Sequence, residues 1–254
     1  MPRLSAIIIC RNEEKDIEGA IQSLLWADEV LIVDSFSTDN TLAIAGNYPV
    51  KILQHAFENY SRQRNWALDQ AAYDWVLMLD ADERITPELQ REIQKLLAGT
   101  PANSAYTIYR SNFFMGHQVR YSGWQNDSVV RLFDKSRNRY SDKNVHEELI
   151  MEDGKPGKLK YKMLHYTYRS LPHYLDKWNT YSTLSANDKA KKTKKVSLYH
   201  LMLKPAFRFF RHYIFKLGIL DGKVGFVISY LSASSIFMRY LKIWRMQQEN
   251  ITLK

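Results

Sequence analysis

The sequence predicts an α/β fold with a mostly parallel sheet and helices on both faces, followed by a helical, strongly basic C-terminal region. Three observations predict it. Over the first hundred residues, short continuous apolar runs alternate with stretches whose apolar residues recur at helical spacing. The apolar runs end in polar clusters, "RNEE", "DSFSTD" and "DADE". Positive charge is concentrated at the far end of the chain. Residues 189–245 hold thirteen Lys or Arg against one acid, Asp221, which gives +12 and leaves −3 for the rest of a chain whose net charge is +9.

"LSAIIIC" reads as a buried strand, and Ile17, Ala20, Ile21, Leu24 and Leu25 then fall on one helical face. "EVLIVD" is a second buried strand, followed by a turn-rich segment and a short helix around Leu42–Ala45. "VKILQ" is a third strand, and a helix over Ser61–Ala72 leads into a fourth, "WVLML". Thr86 then caps a further helix with Pro87 at its first position. Unbroken apolar strands separated by helices point to parallel strands with right-handed crossovers, covered on both faces.

At 254 residues, 45% of them apolar, the chain has enough material for one sizeable core and a small appendage, and global disorder is excluded. A single cysteine, Cys10, excludes an internal disulfide framework and fits a reducing compartment. The first apolar run stops at Arg11–Glu14, unlike a signal peptide, so a cytoplasmic location is expected.

In open α/β sheets, ligands bind beyond the carboxyl ends of the strands. Three successive strands here end in polar clusters, so those clusters line one cleft. Within it, Asp80 and Asp82 form an Asp-x-Asp pair on the turn after the fourth strand. Two carboxylates aimed at one point suit a hard cation, Mg²⁺ or Mn²⁺, that carries substrate phosphates.

"SAIIICRNEE", "VLIVDSFSTDNT", "RQRNWALDQAAYDWVLMLDADERI", "VVRLFDK" and "VHEEL" together resemble the inverting glycosyltransferases of family 2, which have the GT-A fold, over about residues 4–150. Within that family the chain looks most like the β-1,4-glucosyltransferases that decorate an inner-core heptose of bacterial lipopolysaccharide. The resemblance implies a UDP-sugar donor, with glucose the expected sugar. It implies that Asp34 contacts the base and ribose, that Asn12 and Glu13 line the nucleotide pocket, and that Arg64 lies near the uridine or diphosphate. Asp82 is the implied direct metal ligand, with Asp80 nearer the ribose. The chain departs from the pattern at Ser35, where many members carry a second acid.

An inverting transfer needs one carboxylate to take the proton of the attacking hydroxyl, and charge on the departing diphosphate must be balanced. The resemblance places the base after the Asp-x-Asp. Glu147, beside His146 in "NVHEEL", is the favoured candidate, and His146 is a candidate for metal or phosphate binding. Asp127, after Trp124 in "GWQND", is the alternative. Trp124 is either a sugar platform or a packing residue. Arg131 either reaches an acceptor phosphate or pins a loop.

Residues 1–170 are expected to form the glycosyltransferase domain, with a nucleotide-sugar half over about 1–100 and an acceptor half over about 101–170. Residues 171–254 are expected to form a helical region that meets an anionic membrane surface. There, Lys204, Arg208, Arg211, His212 and Lys216 fall on one helical stripe, and Phe207, Phe210, Ile214 and Leu217 on another. The uncharged run Val224–Met238 has 15 residues, short of the roughly 17–25 that span a bilayer. Lying in the interface, on the inner face of the cytoplasmic membrane, is the expectation. "KAKKTKK", Lys189–Lys195, reads as a solvated linker or helix end. No nucleic-acid motif accompanies the charge, and the oligomeric state is left open.

Rival functions fare worse. Haloacid-dehalogenase phosphatases also place Asp-x-Asp after an apolar strand, but there the motif opens the domain, and here it follows the fourth strand. A glycan-binding protein on a catalytically dead GT-A domain, or a transferase with another lipid-linked or polysaccharide acceptor, are the alternatives to lipopolysaccharide-core transfer.

Overall fold

The protein is described from a computed structural model covering residues 2–141, 148–152 and 154–249. Two compact units divide the chain, residues 1–111 with 127–165 and residues 112–126 with 166–254. The division is interleaved: a short segment from the middle of the chain groups with the C-terminal helices.

The first unit begins with β1 (Leu4–Cys10), α1 (Ile17–Gln22), β2 (Glu29–Asp34), α2 (Thr41–Ala45), β3 (Lys51–Gln54), α3 (Tyr60–Gln70) and β4 (Trp75–Asp80). The two-residue β5 (Glu83–Arg84) and α4 (Pro87–Ala98) follow. Further along the chain lie β6 (Ala105–Phe114), β7 (His117–Val119), β8 (Ser128–Asp134), β9 (Asn138–Tyr140), β10 (Leu149–Met151) and β11 (Gly157–Tyr168). The strand order is β3-β2-β1-β4-β8-β6-β11-β5. β1 pairs in parallel with both β2 and β4, and β2 with β3. β8 then joins β4 antiparallel. The expected parallel sheet is therefore its N-terminal half, and antiparallel strands extend it.

Alternation within the strands explains the unbroken apolar runs. Ala6 and Ile8 of β1, with Leu77 and Leu79 of β4, face a core that also holds Ile17, Ile21, Leu89 and Ile93 from α1 and α4. Ile7, Val76 and Met78 face the opposite core with Ala67 and Leu68 of α3. Each such side chain fully removed from water contributes about 1.5–3 kcal/mol. The helix caps follow the sequence: Thr86 Oγ1 accepts from Leu89 N at 3.3 Å, and Asn59 Oδ1 accepts from Arg62 N at 2.9 Å.

In the second unit, Asn112–Phe114 pairs with β7 through a hairpin turned at Met115 and Gly116, both at positive φ. Helices α5 (Leu171–Ala190), α6 (Lys204–Phe210) and α7 (Gly222–Glu249) make up most of the rest. One or more turns of π-helix flank α6, at Tyr199–Leu203 and Arg211–Phe215. Asp221 ties the hairpin down, accepting from Arg120 N and Tyr121 N at 3.0 Å and from Ser122 Oγ at 2.8 Å.

Three members of the expected basic stripe are tied to neighbouring groups, while Arg211 stays exposed. Lys204 donates to Tyr240 Oη at 2.7 Å, Arg208 Nε donates to Ser232 Oγ at 3.0 Å, and His212 Nδ1 lies 2.9 Å from Ser122 O. The apolar residues are exposed: Phe207, Phe210, Ile214 and Leu217, joined by Met202, Leu203, Phe215 and Leu220. The inversion has a physical reason. Long cationic side chains reach hydroxyl and carbonyl groups on the neighbouring helix and hairpin, and their stems cover apolar surface on the way. Together, Gly218–Glu249 form a helical stretch long and apolar enough, by length and composition, to cross a membrane. The 15-residue run in the sequence understated it, because the helix continues through Arg239, Lys242 and Arg245.

Candidate active site

Asp34, Cys10 and Asp80 end three adjacent strands, because the sheet register sets Cys10 beside Asp34 and Ile9 beside Asp80. The polar clusters thus share one edge of the first unit. Asp34 is fully buried. Its carboxylate accepts from Ser37 N at 2.9 Å and Gln54 Nε2 at 3.1 Å, and also from Ser37 Oγ. The β1 loop is clipped to the β2 loop: Asn12 N donates to Ser37 Oγ at 2.8 Å, and Glu13 N to Thr41 Oγ1 at 2.7 Å. Asn12 Oδ1 in turn accepts from Thr38 N at 2.8 Å. Asn12 and Phe36 sit at φ 57° and 56°, and Phe36 is 55% exposed. Left-handed backbone at a bulky residue is an outlier that neighbouring structure must hold in place. Ser35, where an acid was expected, is buried and accepts from Gln63 Nε2 at 3.1 Å.

The Asp-x-Asp pair divides into two environments. Asp80 accepts from Arg64 Nη2 at 3.0 Å and from Arg131 Nη2. Arg131 Nη2 also donates to Glu83 Oε1 at 2.9 Å, and Glu83 Oε2 accepts from Asp80 N at 3.1 Å. Burial pushes the Asp80 carboxyl up, but the charges of Arg131, Arg64 and Arg110 outweigh it and hold the group well below the usual carboxylate range. Burial likewise opposes the charge on Arg131, and Asp80 and Glu83 more than restore it. Arg131 is 1% exposed, and its guanidinium pins the turn after β4 to β8. Arg64 also lies over the Tyr140 ring, 5.3 Å from the centroid.

Asp82 Oδ2 lies 3.6 Å from His165 Nε2. His165 lies on β11 opposite Glu83. A carboxylate beside an imidazole is a donor pair of a type that could hold Mn²⁺ or Mg²⁺. Among the described residues no group of three or more His, Cys, Asp or Glu gathers into a metal cluster. Glu147 and His146, the favoured base and a candidate ligand, lie outside the described residues. Asp127, the alternative base, accepts from Arg110 Nε and Nη2 at 2.9 and 2.7 Å, and Arg110 Nη1 reaches Glu83 Oε1 at 3.4 Å. A guanidinium on both oxygens competes with an incoming hydroxyl.

Trp124 belongs to the second unit. It lines a cavity of about 180 Å³ with Phe114, Tyr168, Tyr174 and Trp178, and its ring lies 6.4 Å from that of Phe114. Sequence reasoning missed His165 and Arg110, and it placed Glu83 in the acidic cluster "DADE" without giving it a partner. All three come from the strand turn or antiparallel strands, where no spacing rule marks a residue that reaches the first four strands.

Mixed α/β topology, a sheet whose parallel half carries acids at its carboxyl edge, and an Asp-x-Asp turn define a GT-A-type glycosyltransferase fold. Residues 5–150 match the glycosyl transferase family 2 profile, and the chain belongs to that family. It is 29% identical to the lipopolysaccharide core biosynthesis glycosyltransferase LpsC of Rhizobium meliloti, covering 93% of each chain. An uncharacterized glycosyltransferase of Rickettsia felis is 30% identical over 96% of this chain and 90% of its own. Among solved structures, S. aureus TarS 1–349 in complex with UDP-GlcNAc aligns with TM-score 0.49 at 16% identity, covering 98% of this chain and 92% of that one.

Proposed function

We propose that this family 2 enzyme moves a hexose, glucose in the first instance, from a UDP-sugar to a lipid-anchored saccharide, a heptose of the lipopolysaccharide inner core, with inversion. The observation that carries the reading is the Asp-x-Asp turn at the carboxyl edge of the parallel strands, with Asp80 paired to Arg64 and Arg131 and Asp82 beside His165. End-to-end similarity to a lipopolysaccharide core glycosyltransferase supports the acceptor class.

Asp34 and the clipped loops at Asn12 and Glu13 hold the nucleoside, with Arg64 at the diphosphate end. Asp82 and His165 would hold a divalent cation, with His146 a further candidate. A cation held there would supply positive charge to balance the leaving diphosphate. Glu147 takes the acceptor hydroxyl proton as the oxygen attacks the anomeric carbon, and Arg110 keeps Asp127 an ion-paired positioning group.

Membrane association completes the proposal. The exposed Met202, Phe207, Phe210 and Phe215 insert at the interface of the inner leaflet, and exposed cations such as Arg211 meet anionic head groups. Transfer to purified heptose-containing acceptor, read as UDP release with candidate donors, tests the function. Asp82→Ala should abolish transfer while the melting curve is retained, and EDTA should do the same reversibly to the wild type. Full transfer after thorough chelation would remove the metal-dependent reading. Donor hydrolysis without transfer to any saccharide would remove the acceptor.

A further inference from the structure

The lysine-rich tract between α5 and α6 is folded, and it closes a basin. Gln247 of α7 accepts from Val196 N at 3.2 Å and donates to Thr193 O and Lys194 O at 2.9 and 3.3 Å. Lys192 N and Thr193 N continue the helix end, donating to Lys189 O and Ala190 O. Val196 is buried against Ala186, Tyr240 and Ile243. A solvated linker would need none of these ties.

The basin they shape is about 500 Å³ and is lined by Lys189, Lys192, Lys194, Lys195, Lys204 and His200, with Thr193 and Tyr240. No acidic side chain lines it among the described residues. Lys204 is fixed in place by neutral groups: it donates to Tyr240 Oη at 2.7 Å, and its ammonium lies 4.6 and 5.4 Å from the ring centroids of Tyr240 and Tyr199. These contacts orient the charge without cancelling it. His200 Nδ1 accepts from Ser197 N at 3.2 Å, which leaves Nε2 to carry the proton. Burial and the nearby Lys204 charge push the His200 pKa down. Five ammonium groups gathered from three elements repel one another. A compact, multiply charged anion relieves that repulsion, and lysine is a point-charge partner for phosphate. The volume falls in the range of ligand clefts and exceeds a single phosphate.

We propose that this basin is a phosphoryl-group site, built for a phosphomonoester or diphosphate carried on a larger molecule. It rests on the second unit alone, so its failure and that of the transfer reading are distinguishable. The test is calorimetric titration of the full chain with inorganic pyrophosphate in EDTA, comparing wild type with Lys194→Gln/Lys195→Gln. Lys158→Gln/Lys160→Gln, in the first unit, controls for general charge. The wild type and the control should bind, and the basin variant should bind at least about tenfold more weakly. Equal binding by the basin variant, equal loss in the control, or no binding by the wild type at millimolar pyrophosphate overturns the proposal.

Vesicles of phosphatidylcholine with and without phosphatidate identify the source. If the basin variant, weakened for pyrophosphate, also loses the preference for phosphatidate, the group is a lipid head group. If it keeps that preference, the group is a phosphate on a saccharide or other soluble molecule.

Discussion

Replacing Arg131 by Met tests the charge network that shapes the Asp-x-Asp turn. The substitution keeps most of the volume but removes the guanidinium shared by Asp80 and Glu83. The energy is counted on Arg131 and Glu83, whose side chains are 2% and 0% exposed; Asp80, at 38%, is partly screened. Glu83 would keep Arg110 at 3.4 Å as a cationic partner, and Asp80 would keep Arg64. Removing one member of a buried ion pair costs about 3–5 kcal/mol, because a desolvated charge is left behind. For a chain of this size each kcal/mol lowers Tm by about 2–4 °C, so Arg131→Met should melt roughly 6–20 °C below wild type. The loss should depend on pH with a definite sign. Asp80 has its carboxyl depressed in the fold, so its contribution is fully present above the ordinary aspartate range and is lost as pH falls through and below it. The gap between variant and wild type should therefore be widest near neutrality and narrow in acid. Thermal melts followed by tryptophan fluorescence between neutral and acidic pH read both effects. A variant that melts within about 2 °C of wild type at neutral pH would refute the argument that Arg131 neutralises this turn.

Glu147→Gln should lower turnover by roughly 10²–10⁴ with little change in UDP affinity, whereas Asp127→Asn should be milder; steady-state kinetics with UDP titration separates them, and the reverse order would reassign the base. Phe207→Glu/Phe215→Glu should weaken binding to anionic liposomes at least about tenfold, since each phenylalanine removed from water contributes about 1.5–3 kcal/mol; co-sedimentation reads it, and unchanged binding would leave the exposed apolar face without a membrane role. Cys10 should resist a disulfide-exchange reagent in the native protein and react fully after unfolding, because burial and then Asp34 push its thiol pKa up; rapid modification of native protein would show that the β1 edge opens.

The first unit's parallel strands and their helices were legible in the sequence for a local reason. A strand buried on both faces needs an unbroken apolar run, and β1, β2 and β4 each have one that ends at a polar cluster. Thr86-Pro87 marked a helix start just as directly. The three polar clusters at one sheet edge, and the family motifs that contain them, brought Asp34, Asp80 and Asp82 forward. What the sequence could not decide is who neutralises whom. The resemblance gave Asp80 and Asp82 different roles but no partners, and only the approach of Arg64 from α3 and Arg131 from β8 makes Asp80 an ion-paired pin. Likewise only the antiparallel pairing of β11 with β5 brings His165 beside Asp82. The C-terminal region shows the same limit from the other side. Helical periodicity sorted its cations and aromatics onto separate stripes but could not tell inside from outside. That choice was made by Tyr240, Ser232 and Ser122, partners distant in sequence, which draw in Lys204, Arg208 and His212 while Phe207, Phe210 and Ile214 stay exposed.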